Sequence, residues 1–173
     1  MKKMILIVAA ISLLATAASA QKSIRVPHGY AAMIEQENTF HFSGSQTSIA
    51  LSMTHGAYYS DNVYVGLGFG LEGNDDYTIL PVFAATRYIF NGHAKVSPMF
   101  TARLGSYVGD DLGAYGEAGF GLRFASPSKF AFALSLVGKY VSGLEYCDYS
   151  SSSVCTVKEN SLSGVGIRFS IEW

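Results

Sequence analysis

The chain has 173 residues, of which 49% are hydrophobic and only 14% charged, with a formal net charge of −1. Soluble domains typically carry roughly 25% charged residues, so this composition argues against an ordinary water-exposed domain. A charge close to neutral excludes nucleic acid as a partner.

Met1-Lys2-Lys3 is a short basic start, Met4 to Leu14 is an apolar run, and Ala18-Ser19-Ala20 supplies small residues at a cleavage position. This pattern predicts a signal peptide over 1–20, removed before Gln21. The apolar run is shorter than the roughly 20 residues a membrane-spanning helix needs, and the residue directly after the cut is Gln21, not a cysteine that could take a lipid anchor. Residues 21–173 then form one domain by the length prior. Without Lys2 and Lys3 the net charge falls from −1 to −3.

Eight alternating segments follow, at 29–36, 46–56, 62–71, 78–89, 97–107, 113–124, 129–140 and 161–173. All but the first reach the 9–11 residues that carry a tilted strand across a bilayer. Turn-forming runs separate them: Ser60-Asp61-Asn62, Gly73-Asn74-Asp75-Asp76, Asn91-Gly92, Gly109-Asp110-Asp111 and Ser126-Pro127-Ser128. Asn-Gly favours the positive φ angles of a tight hairpin. The last segment shows period two most plainly. Val165, Ile167, Phe169, Ile171 and Trp173 alternate with Gly166, Arg168, Ser170 and Glu172, giving one apolar and one polar face.

The same two faces run through the other segments. Apolar positions include Ile49, Leu51 and Met53; Val63, Val65, Leu67 and Phe69; Val82, Ala84 and Tyr88; Phe100, Ala102 and Leu104; Ala118, Phe120 and Leu122; Phe132, Leu134 and Leu136. The opposite face carries Glu35, Arg87, Arg103, Glu117, Arg123, Lys139, Arg168 and Glu172, together with Ser48, Ser52, Thr54 and Ser135. If the charges faced water, the apolar face would need a second layer to cover it, and a set of hairpins has no spare element for that. A closed barrel with its charges inside and its apolar face in lipid satisfies every backbone amide without an edge. The predicted fold is an all-β, eight-stranded antiparallel up-and-down transmembrane barrel. Tyr58, Tyr59, Tyr88, Phe90, Phe124, Phe130 and Trp173 are expected to ring one end, and Phe40, Phe42, Tyr77, Tyr107 and Tyr140 the other. A last loop over 142–160 is expected to be the longest. Long loops outside and short turns inside would put both termini in the periplasm.

Several stretches carry a resemblance. Asn62-Val63-Tyr64-Val65-Gly66-Leu67-Gly68-Phe69-Gly70, Leu80-Pro81-Val82-Phe83-Ala84-Ala85-Thr86-Arg87-Tyr88, Ser97-Pro98 entering a strand, and Gly119-Phe120-Gly121-Leu122-Arg123-Phe124 resemble the small outer-membrane β-barrel (porin-like) family of Gram-negative bacteria. The resemblance covers essentially all of 21–173 and implies the eight-stranded fold of the OmpA transmembrane domain and of OmpX. It implies an outer-membrane location and contact with membrane lipid and lipopolysaccharide. It also implies recognition by the outer-membrane assembly machinery through the C-terminal strand ending at Trp173, and a monomer. The peptidoglycan-binding domain of full OmpA proteins is not expected, since the last strand closes the chain. A non-enzymatic structural or surface role is the expected function, with a small-solute diffusion channel as the alternative and a lipid-modifying enzyme as a third reading.

Candidate sites are few. Cys147 and Cys155 are the only two cysteines; export would place them in an oxidising compartment, so a disulfide is expected. Acidic residues read as loops (Glu72, Asp75, Asp76, Asp110, Asp111, Glu145, Asp148) lack the converging spacing of a calcium site, and solvated hairpin loops are expected instead. His41-Phe42-Ser43 beside Glu35 or Glu37 has the residue types of a hydrolase, as in the lipid A deacylases, which are small barrels. A serine there would still need a base oriented by a third group. His28, His55 and His93 are scattered, so no metal site is expected, and no cofactor. Because eight strands enclose an interior that side chains just fill, the inward charges are expected to form a paired plug. A symmetric hairpin of 97–107 with 113–124 pairs residues summing to about 220, which sets Arg103 opposite Glu117.

Overall fold

The computed structural model describes residues 29–42, 47–74, 78–108, 112–126, 130–148 and 156–173. The strands are β1 (Gly29–His41), β2 (Thr47–Tyr58), β3 (Val63–Gly73), β4 (Thr78–Ile89), β5 (Val96–Val108), β6 (Leu112–Ala125), β7 (Ala131–Asp148) and β8 (Thr156–Glu172). Each strand pairs with its sequence neighbours, and β1 pairs antiparallel with β8, so the sheet closes into a barrel. Closure is completed by reciprocal backbone bonds between Ala32 and Trp173, at 2.9 and 3.0 Å.

Alternation fixes which way each side chain points. Positions of one parity are buried inside the barrel, while the other parity exposes Leu51, Leu67, Phe69, Leu104, Phe120 and Leu136 on the outside. Hence the outer wall is apolar and the lumen polar, as the period-two pattern predicts. Outward rings pack along the wall, with Phe100 and Phe120 at 5.1 Å and Tyr88 and Phe90 at 5.1 Å between centroids. The lumen is tight enough that some inward positions admit no side chain. A Cβ at Gly119 would overlap the Leu136 carbonyl oxygen and the Val137 side chain, and one at Gly68 would strike the Phe83 ring.

Strand bounds differ from the sequence reading where polar strand ends resembled loops. β1 runs on to His41, and β3 takes in Glu72 and Gly73. The expected loop at 142–160 is mostly strand: β7 reaches Asp148 and β8 begins at Thr156, paired from Leu144↔Asn160 to Asp148↔Thr156 after an irregularity at Val141/Leu144. The backbone of this hairpin outruns its neighbours, since β1 pairing stops at His41↔Gly164 and β6 pairing at Tyr115↔Val141. The overhang is roughly 20 Å at about 3.3 Å per residue. Other connections are short at both ends, so the asymmetry of the barrel lies in this one hairpin. Cys155, Asp75, Asp76, Asp110 and Asp111 lie outside the described residues, as do 1–28 and the side chains of Cys147, Glu145 and Asp148.

Two aromatics assigned to the outer rings point inward instead: Tyr58 is 4% and Tyr107 2% exposed. Both sit on the lumen parity of their strands, and strand parity outranks the preference of aromatics for an interface. Outward rings do remain at each end, with Tyr30, Tyr59, Phe90 and Phe130 at the end bearing Gly29 and Trp173, and Phe40, Phe42 and Tyr140 at the other.

A sheet with no free edge within the barrel has nowhere to unzip in detergent. Unboiled protein should therefore migrate at a different apparent mass from boiled protein on a detergent gel, and coincident bands would contradict a closed barrel.

Candidate functional site in the barrel interior

Among the described residues, five acidic and five basic side chains are buried in the lumen: Glu35, Glu37, Glu72, Glu117 and Glu172 against Arg87, Arg103, Arg123, Lys139 and Arg168. By sequence, the inward set is the five bases with Glu35, Glu117 and Glu172 as the acids. Glu37 and Glu72 bring the lumen to formal neutrality. Glu37 shares parity with Glu35 on β1, and Glu72 continues the inward series Gly66, Gly68, Gly70 on β3. That parity signal is present in the sequence, one residue beyond the predicted segments 29–36 and 62–71. Glu72 is thus a buried strand residue and not a solvated loop acid.

The charges interlock across the lumen. Glu35 accepts from Arg87 Nη2 at 2.5 Å and from Arg103 Nη2, with Thr54 Oγ1 donating to it at 3.1 Å. Arg123 grips Glu172 with two bonds, Nε to Oε2 at 3.2 Å and Nη2 to Oε1 at 2.6 Å. Lys139 Nζ lies 2.5 Å from Glu37 Oε1 and 2.9 Å from Glu72 Oε2. Arg168 donates to Glu37 Oε2 from Nε at 3.0 Å and Nη2 at 2.6 Å, and makes an ion pair with Glu117. Tyr115 donates its hydroxyl proton to Glu117 at 2.8 Å. The Arg103 guanidinium lies 4.5 Å from the centre of the Phe83 ring.

Arg103 and Glu117 are direct register partners on β5 and β6, as the symmetric hairpin predicts. Their closest approach is 3.9 Å, however, and each has a nearer partner elsewhere: Glu35 for Arg103 and Arg168 for Glu117. The pair is therefore one link of a shared lattice. Inward side chains converge on the axis of a narrow barrel, so long ones reach across the lumen to partners on non-neighbouring strands.

Apolar clusters occupy both ends of this lattice. Ala31, Met33, Tyr58, Tyr64, Ile89, Met99 and Ala133 pack at the strand ends nearest the termini. Ile79, Phe83, Ala85, Tyr107, Tyr115, Val141 and Leu162 pack at the opposite ends.

Solved structures similar to this chain include neisserial surface protein A (NspA), at 15% identity and a TM-score of 0.59, over 83% of this chain and 94% of that one. The outer-membrane enzyme PagL matches at 14% identity and a TM-score of 0.53, over 80% of this chain and 97% of that one. The chain has the fold of a small outer-membrane β-barrel. No family model and no curated protein matches the sequence, so the likeness extends to fold alone.

The barrel does bring a histidine, a serine and a glutamate together, although not the three that the sequence suggested. His41 Nε2 is 2.9 Å from Ser48 Oγ, which in turn donates to Glu72 Oε1 at 2.9 Å; Ser43 lies outside the described residues. With the Ser48 proton given to the carboxylate, His41 Nε2 faces the Ser48 oxygen, and its role in that contact follows the imidazole tautomer. All three side chains are buried in the lumen. The arrangement ties β1, β2 and β3 together and lacks the order of a catalytic relay, in which the base stands between nucleophile and acid. Among the described residues no cluster of three metal-ligating side chains occurs.

Proposed function

We propose that the protein is a non-enzymatic integral outer-membrane barrel of a Gram-negative bacterium, with a sealed interior and a structural or surface-contact role. The observation that supports this most directly is the neutral lattice of five acids and five bases, each at most 5% exposed. Side chains so placed fill an eight-stranded lumen and leave no lined pathway. Bidentate and charge-assisted bonds hold the lattice in place, and the apolar clusters at either end keep bulk water from the ion pairs. The apolar outer wall between aromatic rings supports immersion in lipid. The long β7–β8 hairpin is the part best shaped to reach beyond the membrane surface, which favours periplasmic termini at the opposite end and leaves lipopolysaccharide around the hairpin base.

Reconstituted in planar bilayers, the protein should give no steady conductance. A stable ohmic current that scales with protein inserted would overturn the plug and establish the competing reading, a small-solute diffusion channel.

A further inference from the structure

The outer wall carries two amides with no partner. Gln36 and Asn38 lie on the outward parity of β1, between the outward rings of Tyr30 and Phe40 on the same strand face, and are partly exposed. Neither side chain hydrogen-bonds to any described residue. Three polar side chains elsewhere on this wall do return a bond to the chain: Thr86 Oγ1 to the Tyr64 carbonyl at 3.1 Å, Ser106 Oγ to the Gly113 carbonyl at 2.7 Å, and His55 Nδ1 with the Tyr30 hydroxyl. A lipid tail offers an amide nothing, and an unmatched amide in an apolar medium is unfavourable by several kcal/mol on transfer scales. Polar side chains facing the membrane are commonly satisfied by a second protein surface.

We infer that β1 is the contact strand of a two-fold dimer in the membrane, with Gln36 and Asn38 at its centre. The occupant is a second copy of this chain because an amide carries donor and acceptor together. In a two-fold contact about the membrane normal each residue meets its own counterpart at the same depth. A carboxylate or an ammonium facing its own copy would repel, whereas two amides exchange reciprocal N–H···O=C bonds. The surrounding wall fits the role. Ile49 and Leu51 on β2 and Ile167 and Phe169 on β8 are the register partners of Asn38 and Gln36 and stand exposed beside them. They form an apolar rim that keeps headgroups and water from the amides. This departs from the monomer expected from the sequence, and it rests on the lipid-facing reading of the outer wall.

The test uses the refolded 21–173 protein in phosphatidylethanolamine–phosphatidylglycerol vesicles, with dimerisation followed by energy transfer between donor- and acceptor-labelled copies on dilution into excess lipid. Wild type should dimerise, and Gln36→Leu with Asn38→Leu should weaken the dimer about tenfold or more. That variant gains apolar surface and should keep its heat-dependent gel shift, so a failure of the membrane-barrel reading would be seen separately, in the gel. In a Cys147→Ser, Cys155→Ser background, Gln36→Cys should cross-link to itself on oxidation while Phe100→Cys should not. A monomeric wild type, a dimer indifferent to both leucines, or cross-linking through Phe100→Cys would each overturn the proposal.

Discussion

Arg168→Met should lower the unfolding free energy of the barrel in vesicles by about 3–5 kcal/mol. Arg168 is fully buried, bonded to Glu37 and ion-paired with Glu117. Its loss leaves Lys139 for Glu37 at 2.5 Å, but for Glu117 only the Arg103 cation at 3.9 Å and the neutral Tyr115 hydroxyl at 2.8 Å. One buried carboxylate thereby loses its near cation, and the penalty arises chiefly from that under-compensated charge and less from the missing bond. Pairing Arg168→Met with Glu117→Gln should recover much of the loss. The same cycle run on Arg103 and Glu117 should give a smaller coupling, because those two are register neighbours but not each other's nearest partners. Trp173 is the sole tryptophan and sits at the closing seam, so its fluorescence during urea titration reports the transition. A loss below about 1 kcal/mol for Arg168→Met would mean that the lattice is solvated, since exposed pairs contribute no more than that.

Phe120→Arg should destabilise the inserted barrel by about 2–4 kcal/mol, the range for arginine facing lipid near the bilayer midplane. Phe120 is 64% exposed on the outer wall near the middle of β6, beside Leu136 of β7. Tyr59→Arg serves as its control. Tyr59 is more exposed still but follows the last residue of β2, where an arginine reaches the headgroups and the effect falls to roughly 0–1 kcal/mol. The informative quantity is the difference between the two. Equal small effects would place the outer wall in water, and the apolar face would then need another cover.

Strand identity and facing were legible because period two survives in every segment, and one misread residue would have flipped a whole strand. The β5–β6 register was legible for a similar reason: a hairpin centred near Asp110 leaves one pairing that keeps Arg103 and Glu117 both inward. Strand ends were not legible, since Glu37, Glu72 and the residues from Leu144 to Asp148 lie in or beside polar stretches that read as loop. Nor was the choice of partners inside. Arg103 with Glu35 joins β5 to β1, and Arg168 with Glu117 joins β8 to β6. Neither contact lies between neighbouring strands, and no local pattern encodes a distance across a lumen.

The hydrogen-bonded charge partners stand between 49 and 131 residues apart along the chain, and this has a kinetic consequence. The first strand enters with Glu35 and Glu37, whose bases arrive on β4, β5, β7 and β8. An open sheet of the early hairpins would hold uncompensated carboxylates against lipid tails, and it would have an unpaired edge as well. Neutralisation of Glu37 by Arg168 and pairing of β1 with β8 occur in the same event, so two large penalties vanish together. Contacts this distant make the rate-limiting step late and global. A chain cut before β8 should therefore fail to enter the bilayer at all, and should not settle there as a seven-stranded sheet.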